Sequence, residues 1–163
     1  MARRLVRFAS EDIGNADPAA LPLAVAAFQG VHMIGMPESR LLLAQAVTYL
    51  ATAAKSNASY MAYERAAADA LDRGGLPVPF HIRNAPTPLM KQMGHGRGYR
   101  YPHAEPAEDQ TYLPDEIAGR AYYHPMESGL ERELKSRVDS ARARRNAGLG
   151  GTEGDDPAAS EPS

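Results

Sequence analysis

The sequence predicts a mainly α-helical fold, a helical bundle or collar-like oligomerisation domain with one small β-hairpin, and three observations lead there. The first half is a succession of segments with apolar residues at helical spacing, most of them closed by glycine. Ser128-Gly129-Leu130-Glu131 has the spacing of a capping box and opens one more helix toward the C-terminal end. Between them prolines and glycines replace the periodicity, which leaves room only for short extended pieces.

Arg3 to Ile13 forms the first helix, and Gly14-Asn15 ends it. Asp17 is placed as the N-cap of the second, with Pro18 in its first turn and Gly35 as its stop. The third helix covers about 37–54. Leu41, Leu42, Leu43, Ala44, Ala46, Val47, Tyr49 and Leu50 cover most of its circumference, so it is central or packed on two sides. Ser56 caps a fourth helix over about 57–72, and Ala58, Ala62, Ala66 and Ala70 give it a small-residue face. Leu42, Leu43, Val47, Leu50 and Met61 on these two helices are the candidate oligomer interface.

Pro77 and Pro79 exclude helix after Gly74-Gly75. A short helix is expected over about 86–93, and extended pieces at 99–101, 112–113 and 120–124. The last two flank a turn at 114–119 and make the hairpin. The final helix runs over about 129–145, with Leu130, Leu134 and Val138 at four-residue spacing. The domain reading is a helical region at 1–145, with an extended cationic segment at 74–125, and a disordered tail at 146–163 rich in Gly, Ala, Pro, Ser and acids.

A chain of 163 residues with 44% hydrophobic residues supports one ordinary core. A net charge of −2 excludes a polybasic protein, and the absence of Cys excludes disulfides and thiolate metal sites. No secretory signal is visible, because Glu11 and Asp12 arrive before an apolar stretch forms, and no run is long enough to span a bilayer. The expected location is the cytoplasm. No P-loop, dinucleotide fingerprint or nucleophile elbow occurs. The five histidines, His32, His81, His95, His103 and His124, form no helical ligand pair. The chain is therefore not expected to be an enzyme, nor to hold a metal or cofactor of its own.

Against this acidic background, no Asp or Glu occurs between Arg73 and Ala104. The stretch holds Arg73, Arg83, Lys91, Arg97 and Arg100 and includes Gly94-His95-Gly96-Arg97-Gly98-Tyr99-Arg100-Tyr101-Pro102. Cations that hold phosphates beside tyrosines that stack on bases suit nucleic acid. Arg83, Lys91, Arg97, Tyr99 and Arg100 are the candidate contact residues, with a solvated loop or a subunit contact as the alternative. Arg142, Arg144 and Arg145 are explained by a favourable place at the end of the last helix.

Several segments together resemble a known family: 3–18, 37–57, Leu76-Pro77-Val78-Pro79 with Arg83-Asn84-Ala85-Pro86-Thr87, Gly96 to Tyr101, and Tyr112-Leu113-Pro114 with Gly129-Leu130-Glu131. The likeness is to the C-terminal region of the bacterial replication-associated recombination protein A family, relatives of clamp-loader ATPases and of the Werner-helicase-interacting ATPases. It covers about residues 2–138. Pro88 and His95 depart from the Lys and Tyr common in that pattern. The resemblance implies a tetramer-forming helical region of a DNA-dependent AAA+ ATPase that acts at forks, gaps and duplex ends, is associated with the nucleoid, and partners single-strand-binding protein. ATP and magnesium would belong to an ATPase module upstream of Met1. The alternative is a stand-alone helical nucleic-acid-binding module using residues 73–104.

Overall fold

The computed structural model describes residues 1–101 and 110–150, with side chains to Asn146. Among the described residues there are six α-helices: α1 Ala2–Phe8, α2 Ala20–Ile34, α3 Arg40–Thr52, α4 Ala58–Arg73, α5 Pro88–Gln92 and α6 Glu131–Gly150. The chain divides into two units, one of residues 1–75 and 121–137, the other of 76–120 with 138 onward.

In the first unit, α1 continues as a π-type turn over Ala9–Ile13 and a 3-10 turn over Gly14–Ala16. Gly14, at φ 51°, makes the break, because a side chain is strained in that conformation. The π-type turn brings Ala9 and Ile13 inward to meet Ala20, Ala24 and Leu50, with Leu5, Val6, Phe8, Tyr49 and Ala53 packed around them. Alanine dominates the fully buried positions, so α1, α2 and α3 approach closely around two larger side chains, Ile13 and Leu50. Asp17 does not cap α2. The residue is extended and holds a turn one step earlier, its Oδ1 accepting the Ala19 N–H at 3.1 Å and its Oδ2 the Tyr49 hydroxyl at 2.8 Å. α2 stops at Gly35, at φ 66°. α3 starts at Arg40, because residues 37–39 form the turn that enters it.

The N-cap of α4 is Asn57, one residue after the Ser56 predicted for it; Ser56 Oγ accepts the Ala58 N–H at 3.1 Å from the preceding position. α4 packs on the turns Ala9–Ile13 and Gly14–Ala16. It also bonds to the returning segment: Arg65 Nη1 donates to the Tyr122 carbonyl at 3.0 Å, and the Tyr122 hydroxyl donates to Asp69 at 2.9 Å.

Ser128 and Glu131 do not form a capping box. Glu131 is fully buried and turns away from its own helix. Its Oε2 accepts from Ser56 Oγ at 2.5 Å and from the Met126 N–H at 2.8 Å, and its Oε1 accepts the Tyr123 hydroxyl at 2.8 Å. Asn15 Nδ2 donates to the same phenol oxygen at 3.1 Å. Burial, then the hydrogen bond to Glu131, raise the Tyr123 phenol above its ordinary pKa, partly offset by Asn15. Gly129 completes the joint: at φ 52° it lets the Leu130 N–H reach the Ala16 carbonyl at 2.9 Å.

The second unit is built on turns. Phe80–Ile82 is a 3-10 turn, and the Phe80 carbonyl accepts the Gly96 N–H at 2.8 Å. Thr87 caps α5, with Pro88 at its first position, so the helix starts two residues after the expected 86. Among the described residues there is no strand, and the hairpin is not formed. Its backbone groups are engaged elsewhere: the Tyr122 carbonyl goes to Arg65, and 114–120 closes on itself through i to i+3 bonds. α6 continues past Arg145 to Gly150, whereas the sequence ends it at 145. The rest of the expected tail, 151–163, lies outside the described residues, as does His103.

Candidate functional site

The acid-free segment is ordered by its own turns. Gly94, Gly96 and Gly98 sit at φ 87°, 73° and 78°, a left-handed conformation that side chains rarely adopt. Phe80 is the platform at its centre. The Arg83 guanidinium lies 4.0 Å above the ring and the His95 ring packs tilted against it at 5.6 Å. Arg83 Nε also donates to the Val78 carbonyl at 2.5 Å, so a side chain chosen as a phosphate contact is held against its own loop. His81 Nε2 lies 2.7 Å from the Thr111 carbonyl, an arrangement in which it is the donor.

The other predicted contact residues differ in what the fold does with them. Lys91 and Arg97 are exposed, and Tyr99 and Tyr101 present open ring surface. Arg100 is half-buried, its backbone N–H donating to Gln110 Oε1 at 2.9 Å. His81, Arg83, Asn84, Tyr99 and Tyr112 line one cleft of about 510 Å³. The fold therefore brings Arg83 and Tyr99 together and leaves Lys91 and Arg97 off that cleft.

A second cleft, of about 420 Å³, lies in the same unit between 110–118 and α6. It is lined by Gln110, Tyr112, Leu113 and Val138 and by Arg142, Arg144 and Arg145. Among the described residues, Gln110 Nε2 is the buried side-chain nitrogen or oxygen without a hydrogen-bond partner, a deficit that costs about 1–3 kcal/mol when nothing meets it. Gln110 was not singled out in the sequence, where a lone Gln in an acidic stretch carries no signal.

The expected interface residues also separate. Leu50 is 1% exposed and belongs to the core of this chain rather than to an open face. Leu42, Leu43 and Val47 are half-buried, and Leu42 Cδ1 packs over Gly30, where a Cβ would stand 2.5 Å away. Met61 is at the surface. One stretch of open apolar side chains lies at the α2–α3 turn, where Met33, Ile34, Met36 and Leu41 are exposed, Met33 at 82% and Leu41 at 71%; Leu71 on α4 is also open. Among the described residues no group of His, Asp and Glu is placed to hold a metal ion, and no helix is long and apolar enough to cross a membrane.

The family model for the C-terminal region of the MgsA AAA+ ATPase matches residues 1–142. Replication-associated recombination protein A of Coxiella burnetii is 49% identical over 145 residues, covering 87% of this chain and 33% of that protein. The protein of the same name from Escherichia coli K12 is 48% identical over 141 residues, covering 85% and 32%. ATPase WRNIP1 of Dictyostelium discoideum is 47% identical over 126 residues, covering 76% and 14%. The chain thus spans about a third of the length of the bacterial relatives it matches.

Proposed function

Because this chain belongs to the MgsA AAA+ ATPase C-terminal family, we propose that it is the non-catalytic oligomerisation region of a DNA-dependent AAA+ ATPase acting in replication-fork maintenance and recombination. In this reading it gathers ATPase modules into a homo-oligomer, a tetramer, on DNA. ATP and magnesium are bound by those modules and not by these residues, and single-strand-binding protein is a partner of the assembly. The observation that carries the reading is the apolar surface at Met33, Ile34, Met36 and Leu41. Four neighbouring large apolar side chains are left in water by the fold of their own unit, which a covering subunit removes at about 25 cal/mol per Å².

Light scattering on the chain tests this directly. The expected result is a concentration-dependent oligomer that Met33→Lys with Leu41→Lys dissociates while far-ultraviolet circular dichroism stays unchanged. A strict monomer at high micromolar concentration refutes the assembly role. A second reading is favoured by the exposed Lys91, Arg97 and Tyr99: the acid-free segment contacts DNA. Arg97→Ala with Arg100→Ala then weakens DNA binding and reduces its salt slope.

A further inference from the structure

We propose that the cleft lined by His81, Arg83, Asn84, Tyr99 and Tyr112 is a binding site for one unpaired nucleic-acid base. This rests on the reading that the acid-free segment contacts DNA, and it adds which part of the strand is held and by which residues. Three separate stretches build the cleft: 81–85, Gly96 with Tyr99, and Tyr112. Hydrogen bonds hold them together. The Phe80 carbonyl accepts the Gly96 N–H at 2.8 Å, and His81 Nε2 donates to the Thr111 carbonyl, next to Tyr112, at 2.7 Å. The walls are set before any ligand arrives, which lowers the ordering cost of binding.

Those walls are made of planar groups. Tyr99 and Tyr112 line the cleft while 45% and 50% exposed, and among the described residues neither ring packs against another aromatic ring. Arg83 adds a third plane. Its guanidinium lies 4.0 Å above the Phe80 ring, and Arg83 lines this cleft whereas Phe80 does not. The side chain is therefore stacked on one side and borders the cleft on another. With Nε held by the Val78 carbonyl, it has little rotamer freedom left to lose on binding. Gly96 brings no side chain into the space, and its φ of 73° is one that side chains rarely adopt.

Planar walls with open faces select a planar ligand. Stacking of a base on tyrosine or on guanidinium is favourable whichever base it is. In a duplex the faces of each base are covered by its neighbours, so an unpaired base is the one that enters. A cleft of about 510 Å³ lies within the roughly 300–1,000 Å³ of small-ligand sites, which suits one base with its sugar. Asn84, exposed at the cleft, offers both a donor and an acceptor to the edge of the base. Charge favours a base over an aromatic side chain of a protein partner. No carboxylate lines the cleft and none occurs over 73–104, so nothing there repels the phosphates that accompany a base. Lys91 and Arg97, exposed on the same segment, are left to meet those phosphates.

The test is fluorescence anisotropy of the full chain at low salt with two labelled probes of equal length, an oligothymidylate and a strand of abasic units carrying the same phosphates. The thymine strand should bind more tightly by roughly fivefold or more, as a stacked base does. Tyr112→Leu should remove that advantage and leave the affinity for the abasic strand unchanged, whereas Tyr112→Phe, which keeps the ring, should retain it. Tyr99→Leu should act in the same direction as Tyr112→Leu, so the result does not hang on the folding of one variant. Equal affinity of the unmutated chain for the two strands overturns the base site, leaves the DNA-contact reading standing, and leaves an aromatic side chain of a protein as the occupant. Binding to neither strand overturns that reading and the base site with it. A thymine advantage that survives Tyr112→Leu also overturns the proposal, because the base is then held elsewhere.

Discussion

Replacing Glu131 with glutamine probes the buried joint at the start of α6. The side chain keeps its size, so packing is preserved and the change is confined to hydrogen bonding. Wild-type Glu131 receives three donors, Ser56 Oγ and the Met126 N–H on Oε2 and the Tyr123 hydroxyl on Oε1. Glutamine offers one carbonyl oxygen and one NH2. With the oxygen kept toward Ser56 and Met126, the NH2 faces a tyrosine oxygen that already accepts from Asn15. One buried donor is stranded at about 1–3 kcal/mol, and the two surviving bonds lose their charge assistance, roughly 0.5–1 kcal/mol each. The expected loss is about 2–5 kcal/mol, a large part of an ordinary domain's stability. Urea unfolding followed by circular dichroism measures it. Tyr123→Phe is the companion: it costs about 1 kcal/mol alone and less when combined with Glu131→Gln, because the bond to Glu131 is already gone and only that from Asn15 is left to lose. A Glu131→Gln loss below about 0.5 kcal/mol, or full additivity with Tyr123→Phe, refutes the shared network.

Gly129→Ala places a Cβ 2.1 Å from the Ala16 carbonyl oxygen and 2.8 Å from Ala54 Cβ, at φ 52°. Backbone strain and overpacking together are expected to cost about 2–5 kcal/mol, whereas Gly75→Ala, with nothing within 4 Å, stays within about 0.5 kcal/mol by the same unfolding assay. Leu50→Ala should cost about 2–5 kcal/mol at concentrations where the chain is monomeric, as a core residue does and an interface residue does not. The Glu11 carboxyl is held below its ordinary value by the hydrogen bond from Arg7 Nε, at 2.6 Å. A depressed carboxylate contributes stability above its unfolded pKa and loses it as pH falls through the folded value. The Glu11 midpoint should return toward normal in Arg7→Ala and at high salt, measured by nuclear magnetic resonance titration. Tyr49, raised first by its hydrogen bond to Asp17, behaves oppositely: its contribution is present below the unfolded tyrosine pKa and is lost as pH rises through the folded one, and Asp17→Ala should lower its ultraviolet-detected titration midpoint.

The helices were legible because their signals are local. Periodic apolar residues give α2, α3 and α4, and the glycines at 35 and 74 stop α2 and α4 where a left-handed residue is needed. The bond of Ser56 to the Ala58 N–H is equally local. Asp17 shows where that logic ends. An aspartate before a proline reads as a cap, yet the same side chain serves a turn and a tyrosine 32 residues away, and only the packing of α3 decides between them. The hairpin failed for a similar reason: the composition permits extended segments, but their backbone groups found partners in α4 and in the turn at 114–120.

For the candidate site, the sequence by itself determined the charge pattern, the glycine hinges and the apolar helix faces, because these follow from residue type and spacing. Only the tertiary structure decided how the side chains were spent. It held Arg83 against Phe80, buried Leu50, and left Met33 and Leu41 in water. It also turned Glu131 from a cap into the acceptor for a joint 75 residues away in sequence. A polar group's role depends on which donors and acceptors reach it once water is excluded, and that is a property of packing rather than of neighbouring residues in the chain.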